Sequence, residues 1–183
     1  MSEFGVYVHI PFCRHRCDYC AFATWTDRDH LMVAYVDAVI ADIARAVEKG
    51  MPVAATVFFG GGTPTRLAPE LLASIVSAIP VTSNAEITVE CNPDDVTVEM
   101  MNIYAAAGVN RISMGVQSMV DHVLQSLGRT HDPANVVKAI AAARAGGITS
   151  INLDLIYGVH GESVDDWHTP VEQTIALQPT HIS

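Results

Sequence analysis

Apolar residues along this chain repeat in two different periods. Short apolar runs rich in Val, Ile and Phe are separated by stretches where apolar positions recur every third or fourth residue. The first pattern fits a strand, whose side chains alternate between faces. The second fits one stripe of a helix. Val6–Ile10 predicts a first strand, and residues 29–49 predict a helix with Met32, Val36, Val39, Ile43 and Val47 on one stripe. Thr26 or Asp27 is placed to cap that helix, and Gly50 and Pro52 to stop it. Thr56–Phe59 predicts a second strand, residues 69–78 a helix with Pro80 beyond its end, and Ala85–Glu90 a third strand. Residues 97–107 predict a helix closed by Gly108, and Arg111–Met114 a fourth strand. After a short segment at 121–127, Asp132 is placed to cap a helix with Pro133 at its first position and Gly146-Gly147 past its end. Ile151–Ile156 predicts a fifth strand, Ser163 starts a helix to about Leu177, and Pro179–Ile182 begins a sixth strand.

Regular alternation of strand and helix implies an α/β fold with a parallel sheet and right-handed crossovers. The blocks with chemical potential all follow strand ends: Cys13–Cys20, Gly60–Thr63, Glu90, Gln117 and Asp154. In β/α barrels the site forms at the C-terminal ends of successive strands, so a partial (β/α) barrel accounts for five such blocks. An open doubly wound sheet, which gathers its ligands at one switch point, is the alternative. Residues 1–183 are expected to form one core domain of about five to six β/α units. The last strand pattern is cut short by the chain end, which predicts a fragment or a truncated gene product.

Composition narrows the classes. Half of the 183 residues are apolar, enough for a core, and no uninterrupted run approaches the ~18–20 residues of a membrane-spanning helix. Ten basic against twenty acidic residues give a formal charge of −10, which argues against a broad nucleic-acid surface. Without a leader-like start, and with clustered cysteines, the expected location is the reducing cytoplasm.

Three of the four cysteines fall at Cys13-x3-Cys17-x2-Cys20. Three close thiolates suit a cubane iron–sulfur cluster with one iron left open to another ligand. Zinc is the alternative, with His15 or His9 as a fourth ligand. Cys91 stands alone at a strand end and reads as a buried, inert thiol. His122, His131, His160 and His168 have no metal-ligand spacing. Phe58 and Phe59 read as core. Gly60-Gly61-Gly62-Thr63 lacks side chains over three positions, so its backbone can approach a ligand and expose N–H groups; it can equally be a tight turn. Asp154 interrupts an apolar strand and needs a partner, for which an ion pair with Arg129 or Arg111 is one solution.

The run Tyr7-x-His9-x-Pro11-Phe12-Cys13-x3-Cys17-Asp18-Tyr19-Cys20 resembles the start of radical S-adenosylmethionine (SAM) proteins. It is similar, more narrowly, to the branch of oxygen-independent coproporphyrinogen III dehydrogenases and haem chaperones. Phe59–Thr65, Glu86–Glu90, Ser113–Ser118 and Asp154–Gly158 resemble further family blocks in family order. The resemblance implies a radical SAM barrel in which Cys13, Cys17 and Cys20 hold a [4Fe-4S] cluster. It implies SAM contacts from Tyr7, Tyr19, Gly61, Gly62, Thr63, Glu90, Gln117, Arg129 and Asp154. Arg129 is then suited to meet a carboxylate through its planar fork, while His9 remains structural. One electron from the reduced cluster cleaves SAM to methionine and a 5′-deoxyadenosyl radical in such proteins. In the dehydrogenase that radical initiates decarboxylation of porphyrinogen propionates to vinyl groups.

One position separates the two branches. The dehydrogenases carry another cysteine two residues after the third, where the chaperone branch has phenylalanine. This chain has Phe22. The resemblance therefore implies a haem chaperone with cluster and SAM, working with haem, a haem-acceptor protein and a reductant protein. The dehydrogenase, with porphyrinogen as substrate, is the alternative. No catalytic side chain is assigned.

Overall fold

The computed structural model describes residues 4–183. Six strands, β1 (Gly5–Ile10), β2 (Ala54–Gly61), β3 (Val81–Cys91), β4 (Arg111–Gln117), β5 (Ser150–Leu155) and β6 (His181–Ile182), form one sheet in the order β1-β2-β3-β4-β5-β6. All pairs are parallel. A doubly wound sheet reverses its strand order at a switch point. Here the order never reverses, so each right-handed crossover steps the same way and the helices gather on one face. That is barrel topology, and β1 and β6 do not pair, so the barrel is partial.

The register sorts the side chains into two faces. Val8, Phe59, Val89, Ile112 and Ile151 lie in one row across five strands and are all buried. They share one core with the helices α1 (Met32–Glu48), α2 (Pro69–Ala78), α3 (Val98–Ala107) and α5 (Pro133–Ala145) on the convex side, and α4 (Asp121–Ser126) and α6 (Val164–Ala176) complete the helices. Tyr7, Phe58, Thr88, Arg111 and Ser150 form a row on the concave side. Nearer the strands' C-terminal ends, Glu90, Ser113, Asn152 and His181 form the next. The barrel interior is thus polar, and the apolar half of each strand's alternation is turned outward beneath the helices. Phe58 and Phe59 part accordingly. Phe59 is core, whereas Phe58 stacks on Tyr7 with ring centroids 6.2 Å apart.

Several helix boundaries follow their caps. Thr97 accepts from Met100 N at the start of α3, Asp132 from Asn135 N at the start of α5, and Ser163 forms a capping box with Asp166 at α6. The first helix differs from expectation. Residues 29–31 form a single 3-10 turn, α1 starts at Met32, and neither Thr26 nor Asp27 caps it. Asp27 instead pairs with Arg28 at 2.8 Å. Val47 also leaves the predicted stripe and is exposed, in the last turn of α1, while Val36 and Ile43 stay buried. Helix α6 continues through Pro170, whose missing N–H leaves one backbone carbonyl of the preceding turn without its helical partner.

Candidate functional site

The cysteine segment between β1 and α1 has almost no regular structure, so its shape rests on a few ties. Pro11 O accepts from Trp25 N at 2.8 Å and Trp25 O from Cys13 N at 3.0 Å, which closes the neck of the loop. Phe12 is buried in that neck, edge-on to Tyr35. Within the loop, Cys20 N donates to Cys17 O at 3.1 Å. Arg14 anchors the outer side by pairing at 2.9 Å with Asp95, which also accepts from Thr65 Oγ1.

The glycine segment at the end of β2 runs alongside this neck. Gly62 N donates to Ile10 O at 2.7 Å and Thr63 N to Phe12 O at 2.8 Å. Gly61 N donates to Glu90 Oε2 at 3.2 Å. The expected set of N–H groups open to a ligand is therefore absent: all three are already spent on the protein. The glycines are needed for a different reason. A Cβ on Gly62 would lie 2.8 Å from Ile10 O and from Phe12 O, and 3.0 Å from Cys13 Sγ. Gly61, at φ +109°, presses against the His9 ring, 2.5 Å from where its Cβ would stand.

Cys13, Cys17, Cys20, Gly61, Gly62, Thr63, Glu90, Gln117, Arg129, Asp154, Tyr19 and Phe22 all line one cavity of about 500 Å³ at the C-terminal ends of the strands. Five separate strand ends meet there. Thr63 Oγ1 lies 3.7 Å from Cys13 Sγ, and Arg129 Nη1 lies 3.7 Å from Cys17 Sγ. Burial raises the Cys13 thiol pKa. Tyr19 is partly exposed, but desolvation at its cavity-facing side pushes the phenol up to about 12, against the opposing pull of Arg129. Tyr7 stands outside the cavity wall, on the barrel interior, where its hydroxyl donates to His9 Nδ1 at 3.0 Å. His9 Nε2 donates in turn to Ala23 O at 2.9 Å, tying the end of the cysteine loop to β1.

The cavity lining carries both signs of charge. Glu90 and Asp154 supply carboxylates. Burial raises the Glu90 pKa, the Asp154 carboxylate adds to the rise, and the Gly61 hydrogen bond opposes it. Arg129 supplies a guanidinium and forms no ion pair among the described residues. The predicted ion pairs of Asp154 are not made. Asp154 accepts from Ser113 Oγ at 2.8 Å and Asn152 Nδ2 at 2.7 Å, while Arg111 pairs with Glu86. A strand-borne carboxylate is more cheaply satisfied by neutral donors on the same concave row than by a cation from another layer. The fork of Arg129 is also occupied. Nη2 donates to Asn92 Oδ1 and Gly115 O, and Nε to His131 Nδ1, so a ligand can reach only Nη1.

Asn92, Ser113 and His131 escape sequence reasoning. The one signal for His131 is its place two residues after Arg129, which metal-ligand spacing does not capture. Cys91 is buried on the helix side of β3, and burial raises its thiol pKa strongly, as expected of an inert thiol.

The cysteine trio fits an iron–sulfur cluster in donor type, since Cys13, Cys17 and Cys20 line one cavity and such clusters take thiolate ligands. Both nitrogens of His9 are engaged elsewhere, which removes it as a fourth zinc ligand, whereas His15 Nε2 lies 3.8 Å from the Cys17 sulfur. Three thiols around one wall of a cavity suit a larger cluster, whose irons each take one cysteine.

Residues 7–171 match the family model described as the Radical SAM superfamily. Two curated relatives are each named heme chaperone HemW. The Bacillus subtilis protein is 36% identical over 185 residues, covering 98% of this chain and 49% of the relative. The Mycobacterium tuberculosis protein is 38% identical over 190 residues, covering 100% of this chain and 49% of the relative. Among solved structures, the Escherichia coli coproporphyrinogen III oxidase HemN, described as a radical SAM enzyme, matches with a TM-score of 0.87 and 28% identity, over 98% of this chain and 44% of that one. The chain spans about half the length of the curated relatives it matches. It belongs to the radical SAM superfamily.

Proposed function

We propose that this radical SAM chain is the cluster- and SAM-binding part of a haem chaperone, acting in haem and porphyrin metabolism with a reductant and a haem-acceptor protein. The observation that carries the reading is the single cavity shared by Cys13, Cys17, Cys20, Gly62, Glu90, Gln117, Arg129 and Asp154. Cys13, Cys17 and Cys20 would hold a [4Fe-4S] cluster. When bound, the cluster supplies one electron for reductive cleavage of SAM.

The chain's own residues bind and orient the ligand. An α-amino acid carries an ammonium and a carboxylate, and the cavity lining offers groups of the opposite sign to each. Glu90 and Asp154 attract the ammonium or ribose hydroxyls, and Arg129 meets the carboxylate through Nη1, as a charge-assisted hydrogen bond. Gly61, Gly62 and Thr63, whose N–H groups are spent on the protein, bound the amino end of the site, and Gln117 adds a neutral contact. Tyr19, exposed at the cavity mouth, packs on the adenine. Tyr7 acts from behind by holding His9.

The second reading is the oxygen-independent coproporphyrinogen III dehydrogenase, favoured by the similarity to HemN. Phe22, exposed at the cavity mouth where that branch has a further cysteine, favours the chaperone. An anaerobic assay of the full-length protein separates them. With the cluster reconstituted and SAM and reductant present, haem binds and passes to an acceptor, and coproporphyrinogen III is left intact. Conversion to protoporphyrinogen IX overturns the chaperone reading. Failure to assemble any cluster overturns both.

A further inference from the structure

His131 is a buried ionisable side chain to which the reading above assigns no part. It lies between α4 and α5, two residues after Arg129, and is 4% exposed. Its hydrogen bonds leave one possible state. Nε2 is 2.9 Å from Val116 O, which can only accept, so Nε2 carries the proton. Nδ1 is 3.2 Å from Nε of Arg129, which can only donate, so Nδ1 presents its lone pair. The imidazole is therefore neutral and in one tautomer. Burial and the adjacent guanidinium favour the same state, holding its pKa at about 4.

The loop is stapled to consecutive residues of β4. Arg129 Nη2 donates to Gly115 O at 2.9 Å and His131 Nε2 to Val116 O at 2.9 Å. The next residue, Gln117, has φ +64° and lines the cavity. Arg129 is half-buried, and among the described residues its side chain hydrogen-bonds only to neutral acceptors and the Cys17 sulfur. A long cation without a carboxylate would turn toward solvent unless its Nε edge were held.

We propose that His131 is a positioning residue: its neutral Nε2–H tautomer couples the Arg129 guanidinium to the end of β4 and so keeps Nη1 aimed at the carboxylate of SAM. This rests on the reading of the cavity as a SAM site.

Calorimetric SAM affinity of the cluster-reconstituted full-length protein tests the idea. His131→Phe is expected to weaken SAM binding about tenfold, and His131→Gln, whose amide can accept from Arg129 and donate to Val116, to stay within about threefold of the parent. In an Arg129→Met background the His131→Phe change is expected to shift affinity by less than about twofold, since its effect passes through the guanidinium. Nitrogen-15 spectra of the histidine rings should show His131 as the Nε2–H tautomer. Equal affinity of parent and His131→Phe, an undiminished effect without Arg129, or the Nδ1–H tautomer each overturn the inference. A parent protein that assembles its cluster yet binds no SAM overturns the SAM site itself, and the inference with it.

Discussion

Gly62 shows what a single residue decides. It sits where β2 leaves the sheet and passes between two carbonyls of the loop neck and the Cys13 sulfur. Backbone oxygens fixed by their own hydrogen bonds cannot swing aside as a flexible side chain would. Gly62→Ala is therefore expected to destabilise the protein by about 1–3 kcal/mol through overpacking and to lower the iron and sulfide bound on reconstitution. A thermal melt and metal analysis check both, and an unchanged value of either removes the packing argument. A three-glycine run announces special backbone, but not whether ligand or protein occupies the space. In Gly61 and Gly62 the answer is protein, with the N–H groups already committed. The same limit explains Arg129. A lone arginine in sequence cannot reveal that Asn92, Gly115 and His131 consume most of its donors.

At the scale of elements, caps were legible and interior breaks were not. Asp132-Pro133 and Ser163 begin α5 and α6 because each places an oxygen over an N–H that no preceding turn can satisfy. Asp132 lies just past the loop that carries Arg129 and His131, so its cap also fixes the start of α5 against that loop. Asp132→Ala should cost about 1 kcal/mol in urea unfolding and Asp132→Asn only a small fraction of that. Equal losses would show that charge, not the cap bond, matters. Thr26 and Asp27 carry the same kind of signal, yet the chain there is drawn through a 3-10 turn and Asp27 pairs with its neighbour. Pro170 is the converse case, a local breaker overruled by packing, since it and Thr174 are buried against the rest of the fold.

At the scale of the molecule, the apolar core runs between the sheet and the helices, and neither Cys17 nor Cys20 belongs to it. Assembly of the core therefore does not wait on the cluster. Cys17→Ala is expected to remove the broad visible absorption of the reconstituted protein while leaving its far-ultraviolet circular dichroism unchanged. Loss of the helical signal together with the absorption would mean that the loop contributes folding energy, as structural zinc sites do. Alternating periods determined by themselves that strands and helices alternate, that the sheet is parallel, and that chemistry sits at strand ends, because those follow from backbone geometry and from burial of one face. The Cys13, Cys17 and Cys20 spacing likewise limited the metal chemistry before any fold was known. Only the tertiary structure decided that strand order never reverses, that Asp154 rests on Ser113 and Asn152 rather than on an arginine, and that His131 stands behind Arg129. Those depend on which residues a register and a crossover bring together from far apart in the chain, and no local pattern encodes a partner at such a distance.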